Sequence, residues 1–360
     1  MGSRSPDAIV VGAGIIGGSI AWRLAQSGMS VTLLDAGGFG GEASWAGAGM
    51  LAPGGEFTEE TPLVRLALES LNLYPAFVQE LESEARTRID YRRSGAIEIA
   101  CTQAEWRDLL ERSAAQQSLG IRSWARAGAL GAAGALFYRD DAMVDPRDIT
   151  RALRCACQTR QVQIREQTHV VAMHLSAYRV DLETTTGPLS SAAGVLAAGA
   201  WSSSIPITRT GEPADLTPAF PVRGHLLGYK LPPGSLGPIL RRGHTYVLQR
   251  SSGFTIAGTS SEQAGFDRRL DPAIIDRIHT EACALLPRLR SAPEPQAWLG
   301  FRPATPDFKP VIGRLGDTPL WLAYGHYRNG ILLAPATAQR VSRAIRSSSE
   351  TGSDGPDALR

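Results

Sequence analysis

The stretch Ala8-Ile9-Val10-Val11-Gly12-Ala13-Gly14-Ile15-Ile16-Gly17-Gly18-Ser19-Ile20-Ala21-Trp22-Arg23-Leu24-Ala25-Gln26 decides the fold. Four apolar residues read as a strand, the glycines as a turn, and Ile15 to about Gln26 as a helix that Gly28 closes. A second strand follows from Val31 to Leu34 and ends at Asp35, 18 residues beyond Gly17. This is a complete βαβ unit with a Gly-x-Gly-x-x-Gly fingerprint in register. Gly12 permits the tight turn, Gly14 lets the backbone approach a pyrophosphate, and Gly17 lets helix and strand pack closely. The helix start offers N–H groups and the positive end of its dipole to the phosphates. Asp35 can accept hydrogen bonds from both ribose hydroxyls of an adenosine, and it would repel the 2′-phosphate of NADP. The fingerprint by itself leaves NAD and FAD both open.

The rest of the chain agrees with an ordinary globular protein. Its 360 residues are 43% hydrophobic and 20% charged, enough for a large core or two adjoining ones. Lys+Arg number 37 against 35 Asp+Glu, scattered along the chain, so neither nucleic acid nor an anionic membrane is expected as a partner. The four cysteines, Cys101, Cys155, Cys157 and Cys283, have no zinc or disulfide spacing. Met1 to Pro6 is too short and polar for a signal peptide, which predicts a soluble, cytoplasmic protein.

Helical periodicity runs from about Pro62 to Glu84, from about Pro146 to Gln158, from Pro272 to Leu286 and from about Gly330 to Ile345. Arg92 to Ala100, Pro221 to Leu231, Thr245 to Arg250 and Phe254 to Gly258 read as short strands. Gly194 to Gly199 and Leu320 to Ala323 resume the pattern of the N-terminal unit, and a further strand is expected near His169 to Met173. The reading is an α/β chain in which a Rossmann-like dinucleotide-binding domain (1–85, 145–210 and 300–346) is interleaved with a sheet-rich α+β substrate-binding domain (86–144 and 211–299). Residues 347–360 are polar, with Gly and Pro, and are expected to form a flexible tail.

Three further blocks carry a resemblance: Ser44-Trp45-Ala46-Gly47-Ala48-Gly49-Met50-Leu51-Ala52-Pro53, Val195-Leu196-Ala197-Ala198-Gly199-Ala200-Trp201-Ser202, and Gly325-His326-Tyr327-Arg328-Asn329-Gly330-Ile331-Leu332-Leu333-Ala334-Pro335. From Asp7 to about Ile345 the chain resembles the D-amino-acid-oxidase family of FAD-dependent oxidoreductases, and within it the glycine-oxidase branch. The resemblance implies FAD held by Gly12, Gly14, Ile15, Ile16, Gly17, Asp35 and Ala36, by Ala43, Ser44, Ala48, Gly49 and Met50, by Val170, Gly199 and Trp201, and by His326, Tyr327, Arg328, Asn329, Gly330, Ile331 and Leu332. It implies that Arg302 clamps a substrate carboxylate, that Tyr246 and Arg328 lie beside it, and that Met50 lines the pocket. A planar guanidinium can hold both carboxylate oxygens at once, which a lysine cannot.

Two departures from the family pattern bear on function. Gly300 stands where the related monomeric sarcosine oxidases carry a flavin-bonding cysteine, so the FAD is expected to be non-covalent. Tyr246-Val247-Leu248-Gln249-Arg250 lacks the proline of the family's Tyr-x-x-Pro-Arg, which leaves that strand's end and the substrate preference open. No paired carboxylates, Ser-His-Asp set or metal spacing stands out among the six histidines. The resemblance therefore implies oxidation of glycine or another small amino acid or amine to an imine, with peroxide formed from molecular oxygen, in the service of thiazole formation for thiamine. A dehydrogenase passing electrons to a quinone or carrier is the alternative, a silent FAD-binding scaffold a third reading. Pocket size and homo-oligomerisation are left open.

Overall fold

The computed structural model describes residues 5–351. Its helices are α1 (Ile15–Gln26), α2 (Ala43–Ala46), α3 (Pro62–Ala85), α4 (Gln103–Ser118), α5 (Pro146–Thr159), α6 (Pro272–Leu285) and α7 (Gly330–Thr351). Three of them start at the pairs Thr61-Pro62, Asp145-Pro146 and Asp271-Pro272. In each pair the first side chain caps backbone N–H groups and the proline supplies a preset first turn without an orphan donor. Helix α4 opens on a capping box between Thr102 and Glu105. α7 continues to Thr351, into the segment expected as tail; residues 352–360 lie outside the described residues.

The N-terminal βαβ unit sits at the centre of a six-stranded sheet, in the order Val311–Arg314, Leu320–Tyr324, Ala193–Leu196, Ala8–Val11, Val31–Leu34, Gln163–Arg165. All neighbours are parallel except the antiparallel edge strand Val311–Arg314. Parallel strands between two covered faces must be apolar throughout, and Ala8 to Val11 are all buried. Their alternation divides the core. Ala8, Val10, Leu33 and Val195 pack beneath α1, α3, α5 and α7, whereas Ile9, Val11, Leu34 and Leu196 face a five-stranded sheet carrying Met173, Leu175, Val180, Leu182 and Ile207. That second cover is a sheet containing Val170–Leu175, Val180–Thr184, Leu189–Ser191, Ile207–Arg209 and Glu212–Pro213, most of which short-range patterning does not reveal.

An eight-stranded sheet makes the other half, in the order Gln296–Ala304, Phe220–Lys230, Phe254–Gly258, Thr245–Gln249, Ile239–Arg242, Ala96–Ala100, Gly134–Tyr138, Trp124–Ala127. Helix α6 covers one face through Ile278, Ala282 and Cys283 against Leu227, Tyr229, Val247 and Ala257. Tyr246, Leu226 and Trp298 occupy the opposite face, which looks towards the six-stranded sheet. The end of Thr245–Gln249 is secured without a proline. The Gln249 carboxamide accepts from Leu236 N–H at 3.1 Å and donates to Pro232 O and Thr255 Oγ1.

Packing of α3 on α7 sets the start of the last helix. Tyr74 is fully buried, stacks on Tyr91 with ring centroids 5.8 Å apart, and donates its hydroxyl to Ile331 O at 2.7 Å. Burial raises the Tyr74 pKa well above the ordinary phenol value, so the donor proton is retained at any working pH. Tyr74→Phe leaves the Ile331 carbonyl buried and short of a partner, and it is expected to lower unfolding free energy by about 1–2 kcal/mol in a urea titration with unchanged slope.

Candidate active site

In a sheet of this kind, ligands bind outside the carboxyl ends of the parallel strands. Here those ends are Gly12, Asp35, Ala197 to Gly199 and Gly325, and all of them line one cavity of about 700 Å³. The backbone comes very close there. Gly12 has φ 102°, and a Cβ on it would lie 2.3 Å from Ala197 O. A Cβ on Gly17 would lie 1.9 Å from Gly12 O, so this glycine is a packing residue and does not line the cavity.

The loop around α2 is joined to the fingerprint by Ser44, whose hydroxyl accepts from Ile15 N–H at 2.9 Å at the first turn of α1. Asp35 accepts from Ala13 N–H at 2.7 Å through one oxygen and from Gly37 N–H at 2.8 Å through the other. Burial raises its pKa more than these amide bonds lower it. Each carboxylate oxygen keeps lone pairs for further donors. Gly37, Gly38, Thr168, His169 and Val170 close this end of the cavity. Among the other residues read from the sequence, Gly14, Ile15, Ile16, Ala36, Ala43, Ala48, Gly49, Met50, Gly199, Trp201, His326, Tyr327, Arg328, Asn329, Gly330 and Ile331 line the same cavity. Leu332 does not. One residue further round the α7 spiral, its side chain turns into the core, where it is 1% exposed.

The loop Ala46 to Met50 is held from the opposite half of the molecule. Trp298 Nε1 donates to Ala46 O at 3.0 Å, and Arg250, itself buried, donates to Val144 O at 2.6 Å and to Ala48 O. A Cβ on Gly300 would lie 2.4 Å from Ala46 Cβ, so the absent side chain at this position is what admits the loop. Tyr327 N–H donates to Pro303 O at 2.7 Å and ties the segment before α7 to the same strand. His326 is buried, with Nε2 3.2 Å from Thr337 Oγ1, and burial pushes its pKa down to about 3. The imidazole is therefore uncharged, and it does not oppose the positive end of the α7 dipole.

Arg302 and Tyr246 meet at the far end of the cavity because two glycines clear the sheet beneath them. A Cβ on Gly224 would lie 2.2 Å from Arg302 Nη1, and one on Gly258 would lie 2.6 Å from Tyr246 Oη. The Arg302 guanidinium donates to Ser260 O at 3.0 Å and to Thr259 Oγ1 at 2.7 Å. The Thr259 hydroxyl in turn donates to His225 O at 3.0 Å. His225 fixes the next residues: its Nδ1 lies 3.1 Å from Ser260 Oγ and 3.0 Å from Glu262 Oε1, and its Nε2 accepts from Asp271 N–H at 3.2 Å. Burial lowers the Arg302 pKa and raises that of Tyr246.

Arg328 reaches the same end of the cavity but is paired with Glu56 at 3.1 Å. Thr259, Gly224, Glu56, Glu98 and Arg241 were not picked out by the sequence. For Gly224, Glu98 and Arg241 the signal is the strand register around Tyr246 and Arg302, which a single sequence does not display.

One cavity is lined from Val170 past Gly12 and the start of α7 to Tyr246 and Arg302. The chain is 31% identical to a glycine oxidase of Geobacillus kaustophilus, covering 94% of this chain and 92% of that protein. It is 34% identical to a bifunctional protein ThiO/ThiG of Synechocystis sp., covering 94% of this chain and 51% of the longer relative. The crystal structure of the Geobacillus kaustophilus glycine oxidase superposes with a TM-score of 0.89 at 30% identity, covering 96% of this chain and 95% of the other. The model of the FAD dependent oxidoreductase family matches residues 7–344, which include every element that meets at the cavity, and the chain belongs to that family.

Proposed function

We propose that this protein oxidises glycine or another small amino acid or amine to its imine, with two electrons and two protons passing to molecular oxygen as hydrogen peroxide. Water then hydrolyses the imine, unless it is consumed in forming a thiazole for thiamine, the use that the glycine-oxidase resemblance implies. The observation that carries the reading is the state of Arg302. It lines the cavity, burial disfavours its charge, and its hydrogen bonds go to neutral oxygens of Thr259 and Ser260. Among the described residues no carboxylate pairs with it, so a ligand carboxylate is the missing partner.

When bound, FAD supplies the two-electron acceptor at this site. Asp35, the α1 start and the Gly37 to Val170 end suit its adenosine and diphosphate, and the start of α7 with Ala48 to Met50 suits the ring. Arg302 takes the substrate carboxylate in a bidentate pair, and the Tyr246 hydroxyl, kept protonated by burial, donates to it. Positioning of this kind can remove a large share of a barrier without any covalent participation of the protein. Glu56 is paired with Arg328, and Glu98 with Arg112 and Arg241. Neither is free to act as a base, so the amine enters uncharged.

Arg302→Ala removes one partner of a charge-assisted pair, a loss of about 2–5 kcal/mol, and KM for glycine should rise roughly 30-fold or more. KM for ethylamine, which has no carboxylate, should move far less; equal shifts would remove the clamp from the mechanism. Gly224→Ala pushes a methyl group against Arg302 Nη1 and is expected to raise KM for glycine by roughly ten-fold, about 1.4 kcal/mol, while the protein stays yellow. Anaerobic glycine should bleach the flavin, and admitted air should restore the colour within seconds. Reduced flavin that persists in air would mark a dehydrogenase.

A further inference from the structure

The cavity does not end at the Arg302 clamp. It continues past Tyr246 to Glu98, Arg241 and the turn Gly243 to Thr245, roofed by Gly55 and Glu56. Glycine, with its carboxylate on Arg302, has no atom that reaches this end. The strand register explains why polar groups gather there. Arg241 is paired with Tyr246 on one side and with Glu98 on the other, so the three side chains rise as a row from one face of the eight-stranded sheet. Tyr246 leans over Gly258 towards Arg302, and Arg241 stands one strand further along, roughly 5 Å away.

Arg241 is 8% exposed and only partly committed. Its Nη1 pairs with Asp141 at 3.0 Å, and its Nε lies 3.6 Å from Glu98 Oε2, which Arg112 already holds at 2.5 Å. Nη2 makes no hydrogen bond among the described residues. The roof leaves no space for a substitute: a Cβ on Gly55 would lie 2.6 Å from Arg241 Nη1. A buried guanidinium nitrogen without an acceptor is a costly arrangement that an oxygen ligand relieves.

Building on the amino-acid oxidase reading, we propose that Arg241 forms a second anion subsite, and that the preferred substrates are small amino acids bearing a second carboxylate three or four bonds beyond the amine nitrogen. The first carboxylate sits on Arg302 and Tyr246, the second on Arg241, and the oxidised carbon lies between them. The charge can be accommodated. Asp141, behind Arg241, is fully buried, and burial pushes its pKa up to about 6, so it takes a proton more readily than an ordinary carboxylate when a second anion enters. Against Glu98 and Asp141 the cluster sets two guanidinium groups, Arg112 and Arg241. The arm can be carried on the nitrogen or on the α-carbon; the chemistry that Arg241 recognises is the same.

The test uses the FAD-loaded enzyme and a peroxide assay. N-(2-carboxyethyl)glycine and D-glutamate are compared with the neutral N-butylglycine and D-norvaline and with the cationic N-(2-aminoethyl)glycine. At least one carboxylate arm should show a KM ten-fold or more below its neutral counterpart, and which one does so identifies the arm's point of attachment. In Arg241→Gln the ratio of KM for that substrate to KM for glycine should rise at least ten-fold, and Arg241→Lys should recover part of the difference. Preference for a neutral or ammonium arm, or a ratio unmoved by Arg241→Gln, overturns the subsite. If Arg241→Gln fails to fold, the unaltered enzyme's panel decides alone. If glycine and the whole panel leave the flavin unreduced, the oxidase reading fails. Perturbation of the flavin spectrum by glutarate against hexanoate then still judges the subsite, and equal affinities overturn it.

Discussion

The near-contact between the Gly12 turn and the carbonyl of Ala197 is the constraint on which the rest of the molecule depends. The strand Ala8–Val11 lies between Val31–Leu34 and Ala193–Leu196, and all three finish at the same edge of the sheet. A side chain at position 12 would sit 2.3 Å from that carbonyl and force the strand ends apart. Movement there would carry α1 with it, and with α1 the Ser44 bond to Ile15 and the Asp35 bond to Ala13. The crevice for a dinucleotide is thus a by-product of how tightly three strand ends can be drawn together. Glycine at 12 and 17 is the means.

The second half of the molecule is located against that crevice by a few long-range bonds. Ala46 is gripped by Trp298 and admitted by Gly300, Ala48 is held by Arg250, and Tyr327 is tied to Pro303. Gly300, Pro303 and Arg302 belong to one strand, Gln296–Ala304, so the strand that carries Arg302 is also the strand that receives the loop and the approach to α7. Any shift of Arg302 relative to the crevice would have to break these contacts together. This is how a fold assembled from interleaved segments can hold a guanidinium at a defined place relative to a crevice formed mainly by another sheet.

What the sequence disclosed follows the range of the forces involved. The fingerprint unit was legible because turn, helix start and acid lie within about thirty residues and each has a local physical requirement. The proline-started helices were legible for the same reason. The resemblance supplied Arg302 and Tyr246 as isolated positions. It did not supply Thr259, Gly224 or Gly258, because their importance arises only when Phe220–Lys230, Phe254–Gly258 and Gln296–Ala304 pair in register. Arg250 shows the limit from another side. Read as the end of a strand motif missing its proline, it is also the residue that holds the Ala48 loop, while the Gln249 carboxamide helps secure the strand's end. Leu332, one position beyond the last lining residue of α7, shows how helical rotation separates neighbours that a motif treats alike.

The charges lining the cavity set Arg302 apart. Arg328 is matched by Glu56 and Arg268 by Glu42 at 2.7 Å, whereas Arg241 shares Glu98 with Arg112 and is only partly matched by Asp141. Asp35 is answered by backbone amides. Arg302 alone is oriented by neutral acceptors, a threonine hydroxyl and a main-chain carbonyl, which fix its plane without cancelling its charge. Had a glutamate been used to orient it, an arriving carboxylate would have met a neutralised group and competed for the same N–H donors. Dipolar partners leave the full charge to the ligand, in surroundings where water screens it weakly. The cost is a buried cation, and the fold bears it by spreading the support through Thr259 to His225 and on to Glu262 and Asp271. An arginine arranged in this way has its plane fixed and its charge unmatched, the combination that the proposed carboxylate clamp requires.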